Sequence, residues 1–322
     1  MAARVSVAMG TYNGAAFLAE QLESIAAQDR PPDELVVCDD ASTDATAAMV
    51  RAFAARAPFE VRLEINAENV GSTPNFAKAV GLCRGEIIFL ADQDDVWMPH
   101  KVRLLSDVLA GEPGIGFVAS DARLVDPQRR PLGCTLWEAL PFPAAEQAEF
   151  NAGRAFDVLL RRNVVTGTTM AFRAGHRDLV LPIPAGWVHD AWIALLISAV
   201  ARGAVVAEPL VDYRQHAAQQ IGARRESLLD KYRKRKRQGR GVYEATAQGY
   251  EHALERLRAL GDRVADPAVL EALERKVDHW RARGRMRTQR TWRLPLLARE
   301  ILHGSYVRYS SGWKSVAEDI LL

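Results

Sequence analysis

Short strand-like runs alternate with helical stretches over the first hundred residues, and this alternation limits the fold more than any other feature of the sequence. The strand-like runs are compact and apolar, whereas the stretches between them carry apolar residues at helical spacing. We predict strands at residues 4–9, 34–38, 61–65 and 86–91 and helices at residues 15–27, 43–57 and 73–82. This order is typical of an α/β fold in which helices cover both faces of a mostly parallel sheet.

Residues 112–222 show a less regular pattern. We expect strands at residues 116–122, 164–172 and 205–213, and an apolar helix at residues 191–201. A segment with three prolines is expected to loop outward from this part of the chain; they are Pro131, Pro141 and Pro143.

Charge is distributed unevenly along the chain. Residues 1–222 hold 19 Lys and Arg against 27 Asp and Glu, a net charge of −8, whereas residues 223–322 hold 23 against 13, a net charge of +10. We therefore predict one domain over residues 1–222, with halves at about 1–111 and 112–222. Residues 223–322 are predicted to form a basic, mainly helical region.

Cysteine content and apolar runs bear on the compartment. The three cysteines, Cys38, Cys83 and Cys134, form no C-x-x-C pair, which is typical of a reducing environment and of buried or half-buried thiols. The chain starts without the apolar core and cleavage site of a signal peptide, and residues 87–91 are far too few to cross a bilayer. We expect a cytoplasmic protein.

Polar and acidic residues follow three of the predicted strands. They are Gly10-Thr-Tyr-Asn13 after the first strand, Asp39-Asp-Ala-Ser-Thr-Asp44 after the second, and Asp92-Gln-Asp-Asp95 after the last of this set. Because ligands of open α/β sheets bind beyond the carboxyl ends of the strands, we expect the three loops to form one site.

The carboxylates of Asp92, Asp94 and Asp95 repel one another unless a cation or hydrogen-bond donors compensate them. Oxygen ligands favour a hard ion such as Mg²⁺ or Mn²⁺. The alternative is an exposed acidic turn, or a cap of the helix that follows.

The other polar segments also have two interpretations each. The pair Asp39-Asp40 offers acceptors to a nucleoside or to local turn hydrogen bonds, with Ser42 or Thr43 capping the next helix. Asp190 is either a general base or a helix cap. His216 is either a metal or phosphate ligand or a surface residue.

Taken together, these motifs resemble the family-two glycosyltransferases with the GT-A fold over residues 4–216. The similar segments are Val5-Ser-Val-Ala-Met-Gly-Thr-Tyr-Asn13, Val37-Cys-Asp-Asp-Ala-Ser-Thr-Asp44, Asn69-Val-Gly71, and Gly85-Glu-Ile-Ile-Phe-Leu-Ala-Asp-Gln-Asp-Asp95 followed by Trp97-Met-Pro99. The resemblance implies a nucleotide-sugar half at about 1–111, an acceptor half at about 112–222, and Mg²⁺ or Mn²⁺ as the cofactor.

The resemblance also implies roles for single residues. Thr11, Tyr12 and Asn13 would line a nucleoside pocket in which Asp40 meets the base. Asp92 and Asp94 would contact ribose and metal, and the metal and diphosphate would be held by Asp94, Asp95 and His216.

Asp190 stands where these inverting enzymes keep their base, although His189 precedes it where many relatives have Glu. The base would take the proton of the acceptor hydroxyl while the metal neutralises the departing diphosphate. Burial beside Trp187 and Trp192 is expected to raise the pKa of Asp190.

Four further segments resemble bacterial rhamnosyltransferase-like members that build lipopolysaccharide O-antigen and related surface glycans. They are Thr166-Gly-Thr-Thr-Met170, His189-Asp-Ala-Trp192, Tyr213-Arg-Gln-His216 and Tyr309-Ser-Ser-Gly-Trp-Lys314. This implies dTDP-rhamnose as donor, with UDP-hexoses left open, and a glycan or lipid-linked acceptor.

The basic C-terminal region has several interpretations. It fits peripheral contact with the anionic inner face of the plasma membrane, or a solvated charged helix. Nucleic acid is not expected as a partner, because Tyr232 is the only aromatic residue within the cation run at 231–240.

Two other classes of protein compete with the transferase. A dehydrogenase or nucleotidylyltransferase needs a glycine-rich phosphate loop, where this chain has Gly10-Thr-Tyr-Asn-Gly14. A non-catalytic nucleotide-binding or membrane-associated protein that keeps the fold is the second alternative.

Overall fold

The computed structural model describes residues 3–216, 241–261 and 266–321. The chain divides into two compact units, Met1–Gly153 with Val165–Ala223 and Arg154–Val164 with Arg224–Leu322. The segment Arg154–Val164 thus belongs with the C-terminal unit, which the charge pattern did not predict. The predicted boundary at 222 and the cation run at 231–240 lie outside the described residues.

In the described part of the first unit, nine strands form one sheet. They are β1 (Val5–Thr11), β2 (Glu34–Asp39), β3 (Glu60–Ile65), β4 (Ile87–Ala91), β5 (Val96–Trp97), β6 (Ile115–Val125), β7 (Pro131–Thr135), β8 (Met170–Arg173) and β9 (Arg202–Arg214). Their order is β3-β2-β1-β4-β8-β6-β9-β5, and β7 pairs with β6.

Strands β3, β2, β1 and β4 are parallel, and their carboxyl ends therefore lie at one edge of the sheet. Thr11 pairs with Asp39, and Met9 pairs with Ala91, so the loops after β1, β2 and β4 start side by side. Strand β8 runs antiparallel between β4 and β6, whereas β6 and β9 are parallel. The predicted α/β fold with a mostly parallel sheet is confirmed.

In the described part of the first unit, the helices predicted near residues 15–27, 43–57, 73–82 and 191–201 are present, and further helices accompany them. They are α1 (Leu18–Ala26), α2 (Thr46–Ala54), α3 (Ser72–Leu82), α4 (Lys101–Gly111), α5 (Leu136–Ala139), α6 (Ala144–Glu149), α8 (Arg177–Val180) and α9 (His189–Ser198). Helix α1 buries Leu18, Leu22 and Ile25, which have the expected helical spacing. Helix α9 is buried over most of its length, and this is why its sequence is apolar on every face.

Three local predictions were wrong. Residues 164–172 do not form one strand: β8 begins at Met170, after a 3₁₀ turn at Gly167–Thr169, because the N–H of Gly167 bonds to a carboxylate rather than to a neighbouring strand. The proline segment forms β7, α5 and α6 instead of an outward loop, since Trp137 and Phe142 are buried beneath it.

The third wrong prediction concerns the start of α2. Neither Ser42 nor Thr43 caps this helix. The carboxylate of Asp44 accepts a hydrogen bond from the N–H of Thr46 at 2.9 Å, whereas Ser42 donates its hydroxyl to Asp39 at 2.6 Å.

The described part of the second unit is helical, as predicted. Its helices are α7 (Ala155–Arg161), α10 (Gly241–Arg258), α11 (Pro267–Thr288), α12 (Arg293–Leu302), α13 (Ser305–Tyr309) and α14 (Trp313–Leu321). Helix α11 starts with a side-chain cap from Asp266 and with proline at its first position, which is a typical helix start. No helix within the described residues is both long and apolar enough to span a membrane.

Candidate functional site

Side chains join the loops that follow β1, β2 and β4. The hydroxyl of Thr11 donates to Asp39 at 2.8 Å. The side-chain amide of Gln93 accepts a hydrogen bond from the N–H of Tyr12 at 2.9 Å and donates one to the carbonyl of Tyr12 at 3.0 Å. The three polar segments therefore meet at one edge of the sheet, as the sequence predicted.

Gly14 leaves room for the bond between Tyr12 and Gln93. A Cβ atom at this position would lie 2.2 Å from Oε1 of Gln93, far inside the van der Waals distance. The N–H of Gly14 also donates to the hydroxyl of Thr46 at 2.8 Å. Glycine is needed here for close packing between loops rather than for a phosphate-binding turn.

Asp40 organises the loop between β3 and α3. Its carboxylate accepts hydrogen bonds from the side-chain amide of Asn66 at 2.8 Å and from the N–H groups of Val70 and Gly71, each at 2.9 Å. Gly71 has a φ of +89°, a conformation that glycine adopts without strain. The predicted contact of Asp40 with a nucleoside base stays a prediction beside this structural role.

Asp39, to which the family resemblance gave no role of its own, is buried and joins these loops. Its carboxylate accepts from the hydroxyl of Thr11 and from both the N–H and the hydroxyl of Ser42. The paired acidic residues in the sequence were the signal for it, but only the register of β1 against β2 shows that Asp39 faces Thr11.

The three predicted nucleoside residues differ in exposure. Thr11 is buried with its hydroxyl bonded to Asp39, whereas the side chain of Tyr12 is exposed. Asn13 has a φ of +46°, and its side-chain oxygen accepts from the N–H of Thr43 at 2.9 Å. Tyr12 thus exposes an aromatic ring to solvent at the end of β1.

The acidic loop after β4 lies close to the end of β9. Asp94 and His216 are hydrogen-bonded through Oδ2 and Nε2 at 2.8 Å. Asp95 is fully buried and accepts from the N–H of Arg214 at 3.0 Å. The guanidinium of Arg214 donates to the carbonyl of Asp94 at 2.7 Å, which fixes this loop against β9.

Burial and mutual repulsion raise the pKa values of two aspartates in this loop. Burial raises the pKa of Asp92 to about 8, and the nearby charges of Asp94 and Asp190 add to the effect. Burial also raises the pKa of Asp95 well above its ordinary value. Asp92, in residues 1–111, is therefore affected electrostatically by Asp190, in residues 112–222.

Lys101 is a buried cation that the sequence analysis missed. It is fully buried at the start of α4, and its ammonium donates to the carbonyl of Thr168 and lies 3.5 Å from the centroid of the Trp97 ring. Burial lowers the pKa of Lys101, and the carboxylates of Asp95 and Asp92 act in the opposite direction. The compensating charge that the acidic loop requires is thus supplied in part by the chain itself.

Asp190 lies in the first turn of α9 and is 8% exposed. Its carboxylate accepts hydrogen bonds from the N–H of Gly167 at 2.8 Å and from the N–H of Ala191 at 2.5 Å. Burial raises its pKa to about 6, which agrees with the expected direction. A carboxylate with this pKa is ionised at neutral pH and is a better proton acceptor than a solvated Asp.

His189 packs beside Asp190 as a neutral imidazole. Its ring stacks on Phe76, with centroids 3.9 Å apart and an interplanar angle of 14°. Burial lowers its pKa to about 3. Neither ring nitrogen has a hydrogen-bond partner within the described part of the chain. His189 therefore adds buried hydrogen-bonding capacity, and no positive charge, next to Asp190.

A chain of contacts connects Asp40 to Asp190. Gly71, bonded to Asp40, precedes α3, and α3 supplies Phe76, the stacking partner of His189. The hydroxyl of Thr73 on the same helix donates to the carbonyl of Trp187 at 2.9 Å. The residues predicted to bind the nucleotide and the predicted base thus belong to one continuous site.

The predicted metal ligands are Asp94, Asp95 and His216. Across residues 3–216, 241–261 and 266–321, no group of three His, Cys, Asp or Glu side chains is arranged to hold a metal ion. Asp94 and His216 do provide an oxygen and a nitrogen 2.8 Å apart, beside the buried carboxylate of Asp95. Asp94 and His216 are hydrogen-bonded to each other in this arrangement, and their binding of Mg²⁺ or Mn²⁺ stays a prediction.

Comparisons with known proteins agree with this geometry. The family model described as glycosyl transferase family 2 matches residues 6–152, which contain the loops after β1, β2 and β4. Residues 6–152 of the chain are therefore similar to glycosyl transferase family 2. The acidic loop and the Asp39-Asp40 pair lie within the matched segment, whereas Asp190 and His216 lie beyond it.

Two relatives illustrate the extent of the similarity. An uncharacterized glycosyltransferase of Nostoc sp. is 30% identical over 113 residues, which is 35% of this chain and 35% of that protein. The abequosyltransferase RfbV of Salmonella typhimurium is 29% identical over 136 residues, 42% of this chain and 38% of that protein. The matched segments thus span little more than a third of each relative.

Similarity in structure extends over more of the chain. The mannosyltransferase PcManGT from Pyrobaculum calidifontis, in complex with GDP-Man and Mn²⁺, covers 99% of this chain and 85% of its own, with a TM-score of 0.54 and 20% identity. This likeness confirms the predicted GT-A-type fold.

Proposed function

We propose that this protein is an inverting, metal-dependent glycosyltransferase that moves a sugar from a nucleotide diphosphate-sugar to a hydroxyl of its acceptor. The observation that carries the proposal is the coupling of the acidic loop to Asp190. The charge of Asp190 contributes to the raised pKa of Asp92, and burial raises the pKa of Asp190 to about 6. One part of the site is suited to the diphosphate and the other to the acceptor proton.

A divalent ion would be held by Asp94, His216 and Asp95, and it would act as a Lewis acid that neutralises charge on the departing diphosphate. Asp92 is assigned to the ribose and Tyr12 to the nucleoside, because the ring of Tyr12 is exposed at the end of β1. The ammonium of Lys101 keeps the acidic loop in place behind these groups.

Asp190 is assigned as the base. Its two hydrogen bonds from Gly167 and Ala191 fix the carboxylate at the start of α9, and it takes the proton of the acceptor hydroxyl as the new glycosidic bond forms. Attack from the face opposite the departing diphosphate inverts the anomeric configuration in one displacement.

One relative is named an abequosyltransferase, and the donor that we propose is a deoxyhexose donor such as dTDP-rhamnose. GDP-Man in the structural relative keeps a hexose donor open. We assign the acceptor to a glycan or lipid-linked glycan of the cell surface, and propose peripheral contact of the basic C-terminal region with an anionic membrane.

The test is a thermal-shift panel of UDP, dTDP and GDP and their sugar conjugates, each with and without Mn²⁺. A ligand at 100 times its dissociation constant stabilises the folded chain by about 2.7 kcal/mol. We expect one nucleotide diphosphate to stabilise the chain in the presence of Mn²⁺, and the Mn²⁺-dependent part to be lost in His216→Ala. The matched control is His303→Ala, an exposed histidine of the second unit. Absence of stabilisation by every nucleotide would contradict the proposal.

A further inference from the structure

Two helices that follow α11 in the chain expose apolar side chains in a regular pattern. These helices are α12 and α14. On α12 the exposed residues are Leu294, Ile301 and Leu302, and on α14 they are Trp313, Ile320 and Leu321. Both sets have the spacing i, i+7, i+8, which places the three side chains on one face of a helix. Leu302 is 85% exposed and Trp313 is 74% exposed.

The opposite faces of these helices are held inward by charged residues. On α14 the buried carboxylate of Asp319 accepts from Nε of Arg283 at 2.7 Å and from the hydroxyl of Tyr306 at 2.7 Å. On α12 the carboxylate of Glu300 is hydrogen-bonded to Nδ1 of His279 at 2.8 Å. Because Arg283 and His279 both belong to α11, that helix fixes the orientation of the other two.

In a surface helix, apolar residues usually face the core and charged residues face water. Helices α12 and α14 each bury a carboxylate together with an apolar side chain, Leu297 on α12 and Val316 on α14, and they expose further apolar residues. Turning α14 to bury Trp313 would remove Asp319 from Arg283 and leave a buried charge without its partner, which is strongly unfavourable. The buried pair of Asp319 and Arg283 therefore holds the exposed apolar side chains of α14 outward. Exposed apolar clusters of this kind mark interaction sites.

The start of α12 lies close to the end of α14. The guanidinium of Arg293, at the start of α12, donates to the carbonyl of Asp319 at 2.8 Å near the end of α14. Exposed Val307 belongs to α13, which lies between α12 and α14 along the chain. Exposed Trp292 directly precedes α12. We use the term apolar face for these eight residues: Trp292, Leu294, Ile301, Leu302, Val307, Trp313, Ile320 and Leu321.

Charge indicates which partner this face binds. Basic residues directly follow three of its members, at Arg293, Arg308 and Lys314. Among the acidic residues of the same stretch, Glu300 and Asp319 are buried, and Glu318 is half-buried with its carboxylate 3.5 Å from the guanidinium of Arg283. The surface around the apolar face is thus positive, and residues 223–322 carry a net charge of +10.

We propose that the apolar face inserts into the interfacial region of an anionic lipid bilayer, with its basic neighbours at the headgroups. Exposed apolar helix faces that carry tryptophan and lie beside Arg and Lys bind membrane surfaces through apolar burial and electrostatic attraction together. A second copy of this chain is disfavoured as the occupant because two such faces would bring like charges together. This inference deepens the proposed membrane contact and is independent of the transfer reaction.

The experiment uses the full chain with vesicles of phosphatidylcholine alone, or of phosphatidylcholine mixed with phosphatidylglycerol. We expect the chain to co-sediment with the mixed vesicles and to bind less at high salt. Leu302→Ser should weaken binding about tenfold, since burial of one leucine side chain is worth at least one order of magnitude in a partition constant. The matched control is Leu132→Ser on β7 of the first unit, where the leucine is 50% exposed; this variant should bind like the unaltered chain.

A second readout locates the face directly. Lipids brominated on their acyl chains should quench the fluorescence of the unaltered chain, and the quenched fraction should fall in Trp313→Phe. Because both substituted side chains are exposed, thermal melts of the variants should match that of the unaltered chain.

Two results would overturn the inference. Equal vesicle binding by Leu302→Ser and the unaltered chain would assign any membrane contact to basic residues outside the apolar face, such as the cation run at residues 231–240. Sedimentation velocity that shows an oligomer dissociated by Leu302→Ser, with vesicle binding unchanged, would assign the face to a second copy. Nucleotide stabilisation is measured separately, so failure here leaves the proposed transfer activity standing.

Discussion

Replacement of Asp190 by Asn gives the most direct test of the proposed chemistry. The carboxylate accepts hydrogen bonds from Gly167 and Ala191, and its pKa is raised to about 6 because it is buried. Asn keeps the size of the side chain but cannot accept a proton at any pH of interest. We expect turnover to fall by about 10²–10⁴-fold, the usual contribution of a positioned general base.

The raised pKa of Asp190 also predicts how kcat/KM of the unaltered enzyme depends on pH. A base must be ionised, so with a pKa of about 6 only about one-tenth of Asp190 is active at pH 5 and nearly all of it at pH 7. A carboxylate with the ordinary value of 3.8 would stay almost fully ionised at both. We therefore expect kcat/KM to drop about tenfold between pH 7 and pH 5.

The same pKa predicts a change in stability with a definite sign. The folded chain binds the Asp190 proton more tightly than the unfolded chain, so this contribution to stability is fully present below pH 3.8 and is lost as the pH rises through about 6. The loss amounts to about 3 kcal/mol at neutral pH. Urea unfolding of Asp190→Asn should therefore show a weaker decline in stability between pH 4 and pH 7 than the unaltered chain.

Turnover is measured by nucleoside diphosphate release from the donor that stabilises the chain, and nucleotide binding is measured by calorimetry. Asp157→Asn, an exposed first-turn Asp of α7, is the matched control and should have normal turnover. Normal turnover in Asp190→Asn would remove Asp190 from the mechanism. Loss of nucleotide binding in that variant would show that the substitution had disturbed the acidic loop instead.

Three further outcomes are expected. Lys101→Met should destabilise the chain by about 3 kcal/mol in urea unfolding, because it leaves buried carboxylates without their cation; an unchanged midpoint would contradict this role. Gly14→Ala should weaken nucleotide binding in calorimetry, since its Cβ displaces the side chain of Gln93, whereas Gly111→Ala, where the Cβ meets open space, should bind normally. Asp319→Ala should lower the free energy of unfolding by about 3–5 kcal/mol, and a loss below about 1 kcal/mol would refute its role as an anchor of α14.

Local patterns in the sequence determined much of the first unit. Apolar periodicity gave the order of strands and helices, and the parallel strands placed the loops at residues 10–13, 39–44 and 92–95 at one edge of the sheet. The acidic residues of those loops were visible in the sequence because they are adjacent in the chain. Asp190 was identified because its motif resembles that of a protein family, and not because of its spacing from the other acidic residues.

Tertiary structure alone decided which distant groups neutralise and hold these residues. Lys101 meets the carbonyl of Thr168 across 67 positions of sequence, and a lysine at the start of a helix carries no local sign of burial. The outward apolar faces of α12 and α14 depend in the same way on Asp319 reaching Arg283 across 36 positions. Periodicity reports that a helix has two faces, but which face is buried depends on the partner that a charged side chain finds elsewhere in the fold.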